Sequence, residues 1–198
     1  MRYFFSKGRA FCAAIIVSAG IASGAAHADV YVFDSRQTEV RFVYTIGFFS
    51  KHKGRFSEVD GTLQFDARAP ERARVVATVA TASLSTGEPF LDDELKGSDF
   101  FDVTAEPVMT FKSRTVRPTG ANTAEMTGDL TLKGITKPIT FAVSLEPHDE
   151  PGVKSATGAR EFVAKGRLQR SAFNMTAYQV LVGDEIEIEI HAIIRKKR

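Results

Sequence analysis

Histidines are the first residues in this sequence whose chemistry could serve catalysis or metal binding. His52, His148 and His191 lack the His-Glu-x-x-His spacing of a zinc site. His191 alternates with glutamates, which predicts a solvated strand position with basic cross-strand neighbours. His148 lies in a turn-rich stretch beside Asp149. His52 is expected at a strand end or barrel mouth.

Carboxylates are the second candidates for chemistry. Asp92-Asp93 suits the first turn of a helix, and Glu185, Glu187 and Glu189 form the polar face of a strand. General acid or base catalysis requires an environment that shifts the pKa, and the sequence reveals none. Nucleophile-elbow, P-loop and dinucleotide motifs are absent from the sequence. The chain is therefore predicted to have no catalytic residues, no metal site and no catalytic cofactor.

Residues 1–28 have the pattern of a cleaved secretory signal peptide. Arg2, Lys7 and Arg9 precede an apolar run over 11–22, and Ala26-His27-Ala28 supplies a cleavage site. The apolar run is shorter than the roughly 20 residues of a membrane span. The sole cysteine, Cys12, belongs to this leader, so disulfides are not expected in the exported protein. We therefore expect one exported domain over 29–198.

Net charge depends on this cleavage. The chain carries 26 basic and 24 acidic residues, and removal of three leader cations leaves 23 against 24. A near-neutral protein gives no support for nucleic-acid binding. The basic run 195–198 is consistent with a solvated tail or with a contact to anionic lipid headgroups.

Alternation of apolar and polar residues dominates the remaining chain and predicts strands with one covered face. The inward series are expected at 40–48, 63–65, 75–79, 109–111, 130–132, 139–145, 162–168 and 186–190. Turn-forming residues punctuate them, including Lys133-Gly134 and Pro151-Gly152. Roughly eight strands with short connections predict an antiparallel sandwich or barrel.

The segment from Pro89 to Phe101 departs from this alternation. Pro89 can open a short helix and Gly97 can end it, with Phe90, Leu91 and Leu95 forming one apolar stripe. Such a helix either covers the core at a barrel end or gates a ligand. Periodicity does not distinguish a filled barrel from a hollow one.

Several ordered strings resemble the YceI-like family of periplasmic polyisoprenoid-binding proteins across 29–194. They are YVFD at 31–34, TEVRF at 38–42, GRF at 54–56, DGTLQFD at 60–66, SDFFDV at 98–103, GDLTLKGITKPI at 128–139, RSAFNM at 170–175 and VGDEI at 182–186. Two strings depart from the family pattern. LDDEL at 91–95 lacks the family's helix histidine, which removes one expected headgroup contact. AFNM at 172–175 has Asn174 in place of glycine, and asparagine tolerates positive φ.

The resemblance implies an all-β fold, an extended antiparallel eight-stranded lipocalin-like barrel with one short capping helix. It also implies a long isoprenoid lipid, of quinone or polyprenol type, bound inside for transport, storage or stress protection. Predicted wall residues are Phe42, Tyr44, Ile46, Phe56, Leu63, Phe65, Val79, Met109, Phe111, Leu130, Phe141 and Phe162, and predicted cap residues are Leu91, Leu95, Phe100 and Phe101. His52 and Tyr178 are candidate headgroup contacts, and the Tyr44 hydroxyl is another. Plain core packing is the competing role for each.

Two other functions remain open at this point. An enzyme acting on a periplasmic lipid-linked substrate would use His52 with Asp92 or Glu94. A structural β-module would have a packed interior and no ligand. Expected partners are the lipid itself and a transient membrane contact, with a homodimer as a reasonable default for a small β-protein.

Overall fold

The computed structural model describes residues 28–146 and 160–197. His148 and residues 1–27 of the predicted leader lie outside the described residues. The strands are β1 (Asp29–Phe33), β2 (Glu39–Ile46), β3 (Ser50–Phe56), β4 (Val59–Phe65), β5 (Arg74–Ala80), β6 (Leu84–Ser85), β7 (Val108–Pro118), β8 (Thr123–Leu132), β9 (Ile135–Glu146), β10 (Arg160–Gln169) and β11 (Glu185–Lys196). Helix α1 spans Pro89–Lys96.

The strands form one closed antiparallel barrel. Its ring runs β1-β4-β5-β7-β8-β9-β10-β11, and β1 closes it by pairing with both β4 and β11. Three further strands lengthen the barrel at the helix end. Strand β2 pairs with β11 beyond β1, β3 pairs with β2, and β6 pairs with β3. They therefore continue β1, β4 and β5, respectively, in the same directions. The expected eight-stranded barrel with one short helix is therefore confirmed.

The barrel has two distinct ends. The helix end carries α1, the turns at 47–49 and 133–134, and the loop 174–184. The far end carries the turn at 119–122 and the 3₁₀ segment Pro70–Arg72. None of the helices in the described ranges has the length and apolarity of a membrane span.

Left-handed backbone conformations shape the helix end. Lys133 and Gly134, at φ of 51° and 68°, form the two-residue hairpin that joins β8 to β9. Asn174 ends a 3₁₀ segment at φ 56°, as expected from its place in the AFNM string. Tyr178 has φ 54°, which is unusual for an aromatic residue and typical of sites where the surrounding structure holds strain.

Alternation places apolar side chains inside and charged ones outside. Strand β8 buries Met126, Leu130 and Leu132. On the outer face, Arg114 pairs with Asp129 at 2.7 Å and Lys51 with Glu187 at 3.2 Å. Such exposed pairs contribute at most about 1 kcal/mol each, so burial of the apolar face provides most of the driving force.

Two positions in the predicted apolar series are wrong. Phe48 does not continue the inward face of β2, because the strand ends at Ile46 and Gly47 turns the chain at φ 64°. Phe90 does not share the buried stripe of α1, because its position faces solvent while Leu95 packs into the core. Both side chains are exposed at the helix end.

Candidate ligand-binding cavity

A cavity of about 490 Å³ runs along the inside of the barrel. Its lining extends from Leu91, Glu94 and Tyr178 at the helix end to Pro118 and Asn122 at the far end. Apolar side chains make up almost all of the wall. This volume falls within the roughly 300–1,000 Å³ of small-molecule sites.

The structure brings all sixteen predicted wall and cap residues to this cavity. They are Phe42, Tyr44, Ile46, Phe56, Leu63, Phe65, Val79, Leu91, Leu95, Phe100, Phe101, Met109, Phe111, Leu130, Phe141 and Phe162. Their inward position follows from the period of two, since every second side chain of a strand faces the same side. Contact with a ligand remains a prediction for each.

Strand glycines make room for the aromatic rings of the wall. Gly166 pairs with Phe141, and a Cβ added at Gly166 would lie 2.7 Å from the Phe141 ring. A Cβ added at Gly128 would likewise lie 2.5 Å from the Phe111 ring. Phe111 and Phe141 meet edge to face at 5.4 Å. The rings therefore lie along the wall, which keeps the lumen open.

The segment after β6 covers the helix end of the lumen. Phe101 packs on Phe56 at 5.2 Å and on Phe42 at 6.3 Å between ring centroids. The start of α1 is held by Asp92, whose carboxylate accepts hydrogen bonds of 2.6 Å from the backbone N–H and the hydroxyl of Thr86. Although partial desolvation acts in the opposite direction, these bonds lower the pKa of Asp92. Asp92 therefore has a structural role.

Tyr44 carries an unpaired hydroxyl at the cavity wall. Within the described parts of the chain, its oxygen is the one buried side-chain N or O atom with no hydrogen-bond partner. Burial, and then the negative charge of Asp92, raise the pKa of Tyr44, so the group stays a neutral donor. Leaving a buried donor unpaired costs about 1–3 kcal/mol. An acceptor in the cavity would recover that free energy once neighbouring side chains move aside, because the oxygen has almost no accessible surface in the empty barrel.

The two predicted headgroup contacts differ in position. Tyr178 lines the cavity, stacks on Phe100 at 6.2 Å and donates its hydroxyl to Glu94 at 3.0 Å. His52 does not belong to the lining; it lies on β3, where its ring stacks on Tyr44 at 5.6 Å and its Nε2 lies 3.0 Å from Ser50 Oγ. A direct contact between His52 and a ligand inside the cavity is not supported by this position.

Arg170 is a cavity residue that sequence reasoning missed. It is buried, and its guanidinium donates to four backbone carbonyls: Gly183 at 3.0 Å, Met175 at 2.6 Å, Ala177 at 2.8 Å and Val182 at 2.9 Å. Burial lowers the pKa of Arg170, while nearby Asp184 opposes that shift. The residue fixes loop 174–184 over the helix end of the barrel.

Several apolar wall residues also lay outside the predicted set. The alternation of β11 and β2 already placed some of them on the inner face, which was a usable signal. Examples are Val40, Met126, Val143, Leu168, Ile186, Ile188 and Ile190. Met175 and Val182, by contrast, come from the loop and carry no periodic signal.

His191 lies in an ionic cluster on the outside of the barrel. Its ring nitrogens contact Glu161 at 2.8 Å and Glu189 at 2.7 Å, and Arg41 lies 3.4 Å away. The expectation of a solvated histidine is wrong, because two carboxylates surround a half-buried ring, whereas the expected basic cross-strand neighbour is present as Arg41. No group of three or more metal-ligating side chains occurs in the described ranges 28–146 and 160–197.

Stability should depend on pH through His191. Burial lowers the pKa of this histidine, but the hydrogen bonds to Glu161 and Glu189 outweigh it and raise the net pKa above its ordinary value. The resulting stabilisation is complete below about pH 6.5 and is lost as pH rises through the folded-state pKa. We expect the free energy of unfolding to fall by about 0.5–1 kcal/mol between pH 6 and pH 8, measured by urea denaturation.

A matched pair of variants tests the assignment. His191→Gln should remove this pH dependence, and His52→Gln should keep it. Equal pH profiles for His191→Gln and the parent protein would contradict the role of the cluster.

The closed eight-stranded barrel and its apolar lumen define the class of small β-barrels that enclose an internal cavity. Within this class, residues 31–194 match the YceI-like domain, and the chain belongs to that family. The predicted family membership is thereby confirmed.

Relatives and solved structures agree with this assignment. A UPF0312 protein of Ectopseudomonas mendocina is 36% identical over 132 residues, covering 66% of this chain and 69% of the relative. Two crystal structures share the fold. Burkholderia cenocepacia BcnA has 25% identity and a TM-score of 0.72, covering 81% of this chain and 98% of BcnA. The Campylobacter jejuni YCEI protein has 26% identity and a TM-score of 0.64, covering 77% of this chain and 92% of that protein. A polyisoprenoid binding domain from Saccharophagus degradans implicated in plant cell wall breakdown also shares the fold, with a TM-score of 0.64 over 84% of this chain and 98% of that domain. Its sequence identity is 10%, so this similarity shows the fold alone.

Proposed function

We propose that this protein binds an isoprenoid lipid inside its barrel and catalyses no reaction. The main observation in support of this proposal is the continuous apolar cavity of about 490 Å³. The name of the Saccharophagus degradans domain, which describes it as polyisoprenoid-binding, supports the same class of ligand. Transport, storage or protection of the lipid would all use this site.

Cavity size and wall chemistry suit a branched apolar chain. Because a cavity of roughly 150 Å³ holds benzene, about 490 Å³ can hold roughly 15–20 carbon atoms, or three to four isoprene units. Each buried CH₂ contributes about 0.8 kcal/mol, so such a tail binds tightly without any charge pair. A longer tail would leave the barrel or displace wall side chains.

The polar groups of the lumen favour binding over catalysis. Glu94 accepts a hydrogen bond from Tyr178, and Arg170 is bound to four carbonyls, so both charged groups are already engaged within the protein. The enzyme alternative would use His52 with Asp92 or Glu94, and it predicts turnover that His52→Ala abolishes while lipid binding survives. Asp92 is engaged by Thr86, and no contact between these groups and His52 supports that alternative.

Mass spectrometry of the bound lipid is the direct test. The mature protein is purified without detergent and extracted with organic solvent, and isoprenoid in near-stoichiometric amount is the expected result. Protein that is empty, and that also fails to take up quinones or polyprenols added afterwards, would contradict the proposal.

The Tyr44 hydroxyl is proposed to receive the polar end of the ligand. Tyr44→Phe removes one oxygen and leaves the ring in place, so affinity for an isoprenoid that ends in a carbonyl or hydroxyl should fall about tenfold. Stability of the empty protein should stay unchanged or rise, because an unpartnered buried hydroxyl is removed. Isothermal titration with a short-tailed quinone measures the effect.

A purely hydrocarbon isoprenoid such as squalene is the control ligand for this variant. Its affinity should be the same for the parent protein and for Tyr44→Phe. An equal loss for quinone and hydrocarbon would assign Tyr44 to the wall alone.

We also propose export to the periplasm through cleavage after Ala28. The leader pattern of residues 1–28 supports this location. N-terminal sequencing of protein recovered from a periplasmic fraction should begin at Asp29. A homodimer remains a secondary proposal, to be tested by sedimentation.

A further inference from the structure

The helix end carries four exposed apolar side chains, which we call the apolar rim: Phe48, Phe49, Phe90 and Val180. Their exposed fractions are 92%, 93%, 85% and 97%. Scattered apolar residues on a protein surface need no explanation, but a group of large ones at one end marks an interaction site. In the described ranges, no equally exposed apolar group occurs at the far end.

The rim segments are tied to one another at the cavity. The backbone N–H of Gly47 donates to the Leu181 carbonyl at 2.7 Å, which joins the Phe48-Phe49 turn to the loop that carries Val180. The hydrogen bond from Tyr178 to Glu94 joins the same loop to α1, which carries Phe90. Tyr178 and Leu181 line the cavity and are themselves partly exposed to solvent. The rim therefore lies beside residues that belong both to the cavity lining and to the surface.

We propose that the apolar rim inserts into the surface of a lipid bilayer and places this end of the cavity against the membrane. The inference rests on the proposed lipid cargo, whose natural solvent is the bilayer. Side chains that project from three separate segments can enter the boundary between headgroups and acyl chains without a matching protein surface. Leu181 lines the cavity and directly follows the rim residue Val180, so the covered end of the lumen would face the bilayer.

Local charge indicates which membrane surface fits. Helix α1 carries Asp92, Asp93 and Glu94 against one Lys96, while Lys51 and Lys53 follow the Phe48-Phe49 turn and Lys133 lies in the hairpin at the same end, so this end carries charges of both signs. Attraction to anionic lipid is therefore not the basis of the contact. Zwitterionic phosphatidylcholine vesicles should bind the protein, and added salt should not release it.

Vesicle flotation with matched variants tests this surface. The mature protein should float with phosphatidylcholine vesicles, and a Phe48→Ser/Phe49→Ser double variant should lose roughly tenfold or more in partitioning. Val76→Ser, which removes an exposed apolar side chain from the outer face of the barrel, should float like the parent. Because the rim side chains are almost fully exposed, the double variant should fold and should still take up quinone from detergent solution.

A fluorescent reporter gives a second readout. The chain contains no tryptophan, so Phe49→Trp introduces a single probe. Its emission should shift to shorter wavelength with vesicles and be quenched by brominated lipid. Unchanged emission, or equal flotation of the parent and the double variant, would overturn the membrane contact even if the protein carries lipid. A double variant that turns a dimer into a monomer without any vesicle effect would overturn it too, because a second copy would then cover the rim.

Discussion

Replacing Ala164 with phenylalanine should abolish lipid uptake while the protein remains folded. Ala164 lies in the middle of β10, lines the cavity and pairs with Val143 and Ile190, which are also wall residues. A phenyl ring at this position extends across the lumen and interrupts the path of the tail. If half the tail is excluded, several buried CH₂ groups are lost at about 0.8 kcal/mol each, which reduces affinity by more than about a hundredfold.

The same strand pair offers a matched control on its outer face. Ala142 lies on β9 opposite Lys165, and it is exposed and absent from the cavity wall. Ala142→Phe should bind lipid like the parent protein. Quinone titration and the lipid content after purification compare both variants, and circular dichroism checks their fold. Full lipid content in Ala164→Phe would show that the lumen is not the binding site.

The barrel and most of its wall could be predicted because one local rule determines both. A strand residue faces the lumen or the solvent according to its parity, so series such as Phe42, Tyr44 and Ile46 identify wall positions without knowledge of the pairing. The helix over 89–96 was likewise predicted from its proline start and glycine end. These signals are local in sequence, and a closed sheet preserves them.

Features that depend on distant contacts could not be predicted in this way. Arg170 is surrounded by carbonyls from a loop that the chain reaches five to thirteen residues later, and nothing in its neighbours indicates burial. The environment of His191 depends on Glu161, a residue 30 positions away across a strand pair. Phe48 looks like a wall residue by parity and becomes a rim residue because the chain turns at Gly47.

The contrast between wall and helix end bears on specificity. A wall of apolar side chains discriminates ligands mainly by length and width, since the hydrophobic effect is non-directional. The orientation of a bound ligand would be set by the few polar groups near α1, above all the unpaired Tyr44 hydroxyl. The position of loop 174–184, and therefore of Tyr178 and the rim residue Val180, depends in turn on Arg170.

Arg170→Met should destabilise the protein by about 3–5 kcal/mol. The substitution retains an apolar side chain of similar reach but removes the donors of four hydrogen bonds to Met175, Ala177, Val182 and Gly183. Those carbonyls must then remain unpaired or find water, which requires loop 174–184 to loosen. Urea denaturation gives the stability change, and amide hydrogen exchange should rise most over 175–184.

Arg167 provides the matched control, because it lies three residues earlier, is exposed and forms a surface ion pair of 3.6 Å with Glu185. Arg167→Met should change stability by less than about 0.5 kcal/mol. Arg170→Lys should behave like Arg170→Met rather than like the parent, because a lysine ammonium keeps the charge but lacks the planar fork that reaches four carbonyls. A stability of Arg170→Met within about 0.5 kcal/mol of the parent would mean that loop 174–184 is held by its backbone contacts, such as Met175 to Arg170 at 3.2 Å and Gly183 to Thr45 at 2.8 Å, and not by the guanidinium.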